Sequence, residues 1–262
     1  MPQITVYEPG TPCWVELGTT DTDAARDFYG RLFGWNYEVG ESETTGYTMC
    51  MLRGLSVAGI YELMPEFLAQ GVPPNWMTYL STNDLDGTTQ RITDSGGSIV
   101  NGPMEIGEQG RMEIAADQSG AVFVLWEPAA HIGAELASEP GSVVWNEVLT
   151  RDEAAALPFY IEVFGYTTEL VDLGDATPYV VLTINDRPVG GLATTPPEVP
   201  ADAPSYWATC FAVADADAAV QVATEAGGSV VFGPVDSPNG RIGVLSDPQG
   251  AVFSVMGVGA PA

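Results

Sequence analysis

Residues 10–35 read GTPCWVELGTTDTDAARDFYGRLFGW, and residues 141–166 read GSVVWNEVLTRDEAAALPFYIEVFGY. At an offset of 131 residues they pair Trp14 with Trp145, Glu16 with Glu147, Asp21 with Asp152, Phe28-Tyr29 with Phe159-Tyr160, and Phe33-Gly34 with Phe164-Gly165. The register continues downstream. Trp76 pairs with Trp207, Asp84 with Asp215, and Gly96-Gly97-Ser98 with Gly227-Gly228-Ser229. After a one-residue gap, Gly110-Arg111 pairs with Gly240-Arg241, and DQSGAVF from Asp117 with DPQGAVF from Asp247. A register held this long marks an internal duplication. The copies occupy residues 1–130 and 141–262, and a short link, residues 131–140, carries Gly133 and Pro140.

Within the first copy, Cys13–Gly18 alternates like a strand, and Asp21–Phe33 places Ala24, Ala25, Phe28, Tyr29, Leu32 and Phe33 at helical spacing. Thr20 is read as the N-cap and Gly34 as the stop. Trp35–Val39, Tyr47–Leu52 and Ser56–Tyr61 read as strands. The order then recurs with strand Trp76–Thr82, helix Leu85–Asp94, and strands Ser98–Gly102, Arg111–Ala116 and Ala121–Trp126. The second copy repeats it. The fold class is therefore α+β, with four βαβββ modules in two tandem domains.

Composition narrows the function. The formal net charge is −27, and the eight basic residues are all arginine. Nucleic acid and anionic membranes call for basic patches, so neither is an expected partner. Without lysine, Schiff-base chemistry is excluded. Six Trp, ten Tyr and nine Phe separate this chain from disordered acidic sequences. Three Cys without CxxC spacing (Cys13, Cys50, Cys210) argue against a disulfide framework. The N-terminus has no basic or apolar leader pattern, so a cytoplasmic location is expected, and no apolar run approaches the ~20 residues of a membrane span.

The strand followed by D-x-x-x-A-x-x-FY-x-x-x-FG-[WY], then GG-x-V and D-P-x-G-x-x-F before the last strand, resembles the vicinal-oxygen-chelate (glyoxalase/bleomycin-resistance/dioxygenase) superfamily. The likeness covers nearly the whole chain twice over and is greatest to the tandem two-domain actinobacterial type. It implies paired βαβββ modules whose mixed sheets curl around open cavities. It also implies isomerase, ring-cleaving dioxygenase, drug-modifying or drug-sequestering activity, among which fold does not choose.

The same resemblance implies metal ligands, usually His, Glu or Gln, on cavity-facing strand positions. Here the first falls on Trp14 and Trp145, and that of the strand opening the next module on Met77 and Ala208. The last-strand ligand falls on Val124 and Ser254, and the fourth-strand ligand near Gly59 and Gly191. Indole, thioether and aliphatic groups do not replace imidazole and carboxylate around Fe, Mn, Zn or Ni. The one histidine, His131, lies in the link. No metal and no cofactor is expected.

Strand alternation turns Cys13, Val15 and Leu17 toward the helix, and Trp14 and Glu16 toward the cavity, with Trp145 and Glu147 alike. The two glutamates read either as wet-rim residues paired with Arg111 or Arg241, or as ligand acceptors or general bases with pKa raised in a dry pocket. A Glu16–Glu113 carboxylate pair is a further reading. Arg111 and Arg241 themselves read as structural ion pairs more than as anion sites. In the first copy Trp14, Tyr47, Met49, Met51, Met77, Tyr79, Met112 and Trp126 read as cavity lining or as closed core. In the second, the smaller set Trp145, Tyr179, Val181, Ala208, Cys210, Ser254 and Met256 implies a pocket of different shape. The leading expectation is a metal-independent protein that binds an apolar or aromatic small molecule, as in antibiotic or metabolite sequestration, and is a monomeric pseudo-dimer or a homodimer. The alternative is an enzyme of the superfamily using Glu16 or Glu147 as acid or base.

Overall fold

The computed structural model describes residues 3–40, 46–172, 178–197 and 199–259. The first module comprises β1 (Pro12–Thr19), α1 (Thr22–Phe33), β2 (Asn36–Val39), β3 (Thr48–Leu52) and β4 (Leu55–Glu62). A short helix, α2 (Pro65–Ala69), leads to the second module: β5 (Asn75–Ser81), α3 (Leu85–Asp94), β6 (Ser98–Glu105), β7 (Gly110–Ala116) and β8 (Val122–Pro128). The third holds β9 (Val143–Thr150), α4 (Glu153–Phe164), β10 (Thr167–Asp172), β11 (Pro178–Ile184) and β12 (Arg187–Thr194). The fourth holds β13 (Tyr206–Val213), α5 (Ala216–Glu225), β14 (Ser229–Ser237), β15 (Gly240–Ser246) and β16 (Val252–Gly257). The four βαβββ modules are as expected; α2 is an addition, opened by Pro65 in the first turn, where a missing N–H costs nothing.

Each copy is one eight-stranded mixed sheet, ordered β2-β3-β4-β1-β5-β8-β7-β6 and β10-β11-β12-β9-β13-β16-β15-β14. The opening strands of the two modules pair antiparallel at the centre, β1 with β5 and β9 with β13. Each also pairs in parallel with the last strand of its own module.

Every module helix is capped by an aspartate. Asp21, Asp84, Asp152 and Asp215 accept from the backbone N–H three residues on. The cap of α1 is therefore Asp21 rather than Thr20: Asp21 is extended (φ −148°), and its carboxylate both bonds the free N–H and faces the positive end of the helix. Gly34 and Gly165 close α1 and α4 in the left-handed region, at φ 73° and 71°.

The helical faces of the two copies pack on one another crosswise. One core joins Val15, Leu17, Phe28 and Tyr29 of the first module to Phe211, Ala219 and Phe253 of the fourth. A second joins Leu80, Ile92 and Phe123 of the second module to Phe159, Tyr160 and Leu182 of the third. The repeated FY and D-x-x-G motifs meet here. Tyr29 donates to Asp247 Oδ2 of the other copy at 3.0 Å while accepting from Trp76 Nε1 at 3.0 Å. In the mirror position Tyr160 accepts from Trp207 at 2.9 Å and faces Asp117. Asp117 and Asp247 also each hold the turn before a last strand through backbone N–H groups. A tyrosine of one copy thus closes onto a turn of the other. No helix among the described residues is long and apolar enough to cross a membrane.

Candidate functional site

With the helices on one side, the opposite, helix-free face of each sheet carries the residues singled out above. On β1, Glu16 stands opposite Gly59 of β4 and Met77 of β5. Its carboxylate is a hub. Tyr47 donates to Oε1 at 2.6 Å, Tyr79 to Oε2 at 2.5 Å, and the Trp14 indole N–H to Oε1 at 3.3 Å and to the Tyr47 oxygen at 3.2 Å. Burial raises the Glu16 pKa above the ordinary glutamate value, against the opposing pull of these three donors. The same carboxylate, together with burial, pushes Tyr61 up to about 12.

The resemblance implies a fourth-strand ligand near Gly59 and Gly191. A Cβ on Gly59 would sit 2.2 Å from the Tyr47 hydroxyl, and one on Gly191 would sit 2.0 Å from the Tyr179 hydroxyl. In both copies a tyrosine oxygen fills the space a ligand side chain would need. The other implied positions hold Trp, Met or Ala, and Val or Ser. Among the described residues no group of three His, Cys, Asp or Glu side chains could hold a metal ion. The donor set does not fit a family-type metal.

In the first copy this face carries a buried apolar cluster. Trp14, Tyr79, Val124 and Trp126 are each 4% exposed or less, with Met49, Met77, Met112 and Ile114 packed against them. Met51 is half-buried and lies outside that cluster. The link supplies the cover. Ala134 N–H bonds Cys13 O at 2.7 Å, Glu135 N–H bonds Ser56 O at 2.8 Å, and Trp126 Nε1 donates to His131 O at 2.8 Å. The His131 ring stands edge-on to Trp14, with centroids 4.6 Å apart. The N-terminal arm lies over the link, with Tyr7 donating to Ala134 O at 2.7 Å. Cys13, expected to face the helix, belongs to this cluster, because an irregularity between Pro12 and Trp14 breaks the alternation.

The second copy keeps the trio among smaller neighbours. Glu147 stands opposite Gly191 and Ala208. Tyr179 donates to Glu147 Oε2 at 2.6 Å and accepts from Trp145 Nε1 at 2.6 Å. Burial again raises the glutamate pKa, and Tyr179 opposes it. Here Trp145, Tyr179, Val181, Ala208, Ser254 and Met256 are only half-buried; Cys210 alone is buried. None of the three buried apolar clusters among the described residues is built on this face. Tyr206 adds a further hydroxyl nearby, its pKa raised first by burial and then by the Glu147 charge.

Several readings from sequence are corrected. Glu16 and Glu147 pair with neither arginine: Arg111 bonds Asp86, Glu105 and Glu127, and Arg241 bonds Asp217 and Asp236. Both arginines make surface ion pairs, as their repetition suggested. Glu113 is no partner of Glu16; it is buried on the helical side and accepts from Thr89 of α3 at 2.6 Å. Tyr7, Tyr61, His131 and Tyr206 were missed as site residues. Tyr61 and Tyr206 had a signal in strand alternation with Gly59 and Ala208, whereas Tyr7 and His131 had none. A cleft of about 250 Å³ also lies between the copies, where Trp14, Val57, Ala134, Trp145 and Val189 meet, and neither glutamate lines it.

This geometry can hold a flat apolar group against an indole and offer it a carboxylate acceptor. The chain is similar to several known proteins. "Putative glyoxylase CFP32" of Mycobacterium tuberculosis is 42% identical over 260 residues, covering 98% of both chains. "Anthracycline biosynthesis protein DnrV" of Streptomyces peucetius is 38% identical over 264 residues, covering 97% of this chain and 95% of its own. The Mn(II)-bound glyoxalase from Novosphingobium aromaticivorans superposes with a TM-score of 0.65 at 16% identity, over 94% of this chain and 81% of that one. The 2,2',3-trihydroxybiphenyl 1,2-dioxygenase of Sphingomonas wittichii RW1 gives 0.65 at 13% identity, over 95% and 90%. At these identities the two structures share the fold. The family model matches residues 13–125 and again 133–255, and the chain belongs to the Glyoxalase/Bleomycin resistance protein/Dioxygenase superfamily.

Proposed function

We propose that this chain is a metal-independent binding protein that holds a planar aromatic small molecule on the helix-free face of its second copy. The observation that carries the reading is the asymmetry of the two faces. One Trp–Tyr–Glu trio has a buried indole in an apolar cluster beside the link, and the other has a half-buried indole among smaller, half-buried side chains. An indole and soft apolar groups suit a flat ligand, and a few fixed polar groups orient it. The relatives named for anthracycline biosynthesis support an aromatic ligand, since anthracyclines are flat polycyclic aromatics. Sequestration of such a metabolite or antibiotic, with no metal and no cofactor, is the role in view. Three free, buried cysteines support a reducing, cytoplasmic setting.

Titration of tryptophan fluorescence in chelator-treated protein against a panel of planar aromatics tests this. Saturable quenching by at least one compound is the expected result. No binder in the panel, or binding only after Mn²⁺, Fe²⁺ or Zn²⁺ is restored, would overturn it.

One observation favours a second reading, an enzyme with Glu147 as base: burial moves its pKa toward the range in which a carboxylate accepts protons at neutral pH. Mass spectrometry of the bound compound separates the two. A binding protein returns its ligand intact; an enzyme returns a changed compound, and Glu147→Gln stops the change.

A further inference from the structure

The first copy contains a template for what completes the second. Tyr79 stands opposite Trp14 in the β1–β5 ladder and opposite Val124 in the β5–β8 ladder. Cys210 stands opposite Trp145 and Ser254 in the two corresponding ladders. The positions are equivalent, and a phenol in the first copy has become a thiol in the second. In the first copy two phenols serve one carboxylate, Tyr47 on Oε1 and Tyr79 on Oε2. In the second, Tyr179 does the work of Tyr47 on Oε2, and no donor among the described residues reaches Glu147 Oε1. The side chains around the missing ring are also reduced. Met77 is matched by Ala208, Val124 by Ser254 and Trp126 by Met256, with the strand order unchanged.

We infer that the ligand of the second copy is a neutral phenol, a planar hydroxyaromatic whose O–H donates to Glu147 and whose ring takes the place that the Tyr79 ring occupies in the first copy. This rests on the aromatic-binding reading above and specifies its ligand. The ring lies over Ala208 and Cys210 with Trp145 beside it. The hydroxyl restores the second donor that the carboxylate has in the other copy. An aromatic without a hydroxyl leaves an acceptor desolvated and unpaired, which is the strongest basis a pocket has for rejecting a ligand of the same shape. Aromatic carboxylates are rejected by Glu147 itself and by a chain of net charge −27.

Calorimetric titration of the full chain with 2-naphthol and with 2-methoxynaphthalene, which keeps the ring system and loses the O–H, is the test. The naphthol is expected to bind at least about tenfold more tightly, the worth of one hydrogen bond to a charged group. Glu147→Leu should abolish that preference. Cys210→Tyr should abolish binding, because the chain then supplies the phenol itself. Should Cys210→Tyr fail to fold by circular dichroism, Glu147→Leu and the milder Glu147→Gln decide the matter, the latter with a reduced preference. Equal affinity for the two compounds in the unmodified protein, or a preference untouched by Glu147→Leu, overturns the phenol assignment and leaves aromatic binding standing. Failure of both compounds to bind at millimolar concentration overturns both.

Discussion

The two copies share strand order, aspartate caps, the crosswise tyrosine contacts and the Trp–Tyr–Glu trio, yet their helix-free faces differ in kind. In the first, Trp14 is 4% exposed, Glu16 has three donors, and the link and N-terminal arm lie on top. In the second, Trp145 is half-buried and Glu147 has one donor. One polar motif has its carboxylate bonded by three donors where its neighbours are large, and by one where they are small. The backbone need not change.

The largest expected difference is in stability. Trp14→Ala removes a buried indole and a donor to Glu16, and should cost about 3–5 kcal/mol in urea denaturation, whereas Trp145→Ala should cost less than about 2 kcal/mol. Equal costs would erase the distinction between core and open face. Next comes Tyr79→Phe, which strips one of the hydrogen bonds on Glu16 and should cost about 1–2 kcal/mol. Cys210→Phe, which places a similar ring in the second copy without a hydroxyl, should leave stability nearly unchanged while blocking ligand.

A smaller effect is expected with pH. Burial holds Glu16 and Glu147 above the unperturbed 4.5, so the folded chain keeps protons that the unfolded chain has released. For these groups stability is greatest below about pH 4.5 and declines as the pH rises through each folded-state pKa. Glu16→Gln should therefore gain on the unmodified protein as the pH is raised from 4.5 in a thermal-melt series. A difference that is flat, or that runs the other way, would show that the tyrosines outweigh burial. The smallest effect is the absence of one: Mn²⁺ or Zn²⁺ added to chelated protein should leave Tm where it was, since a metal bound only by the native state would raise it.

Much of this was legible in the residues. The 131-residue offset exposed the duplication, and the Asp and Gly positions framed each helix. Alternation put Trp14 and Glu16 on one face, and Trp145 and Glu147 on the matching one. The failures have a common cause, in that they concern contacts between parts remote in sequence or local breaks in period. Alternation could not show the irregularity that turns Cys13, nor that Glu113 meets Thr89 across a helix. Composition gave no sign that residues 131–135 and Tyr7 fold back over the first sheet, so lining and core stayed undecided there. Thr20 and Asp21 are adjacent capping types, Asp the stronger of the two, and the backbone angle and the bond to Ala24 N–H put the cap at Asp21.

On the proposed reading, one helix-free face is core and the other binds its ligand without metal. Its most direct test is the stoichiometry of 2-naphthol binding to chelator-treated protein by calorimetry. One site per chain, unaffected by added divalent metal, is the expected result. Two sites per chain, a site that persists in Glu147→Leu with unchanged affinity, or a requirement for metal would contradict it.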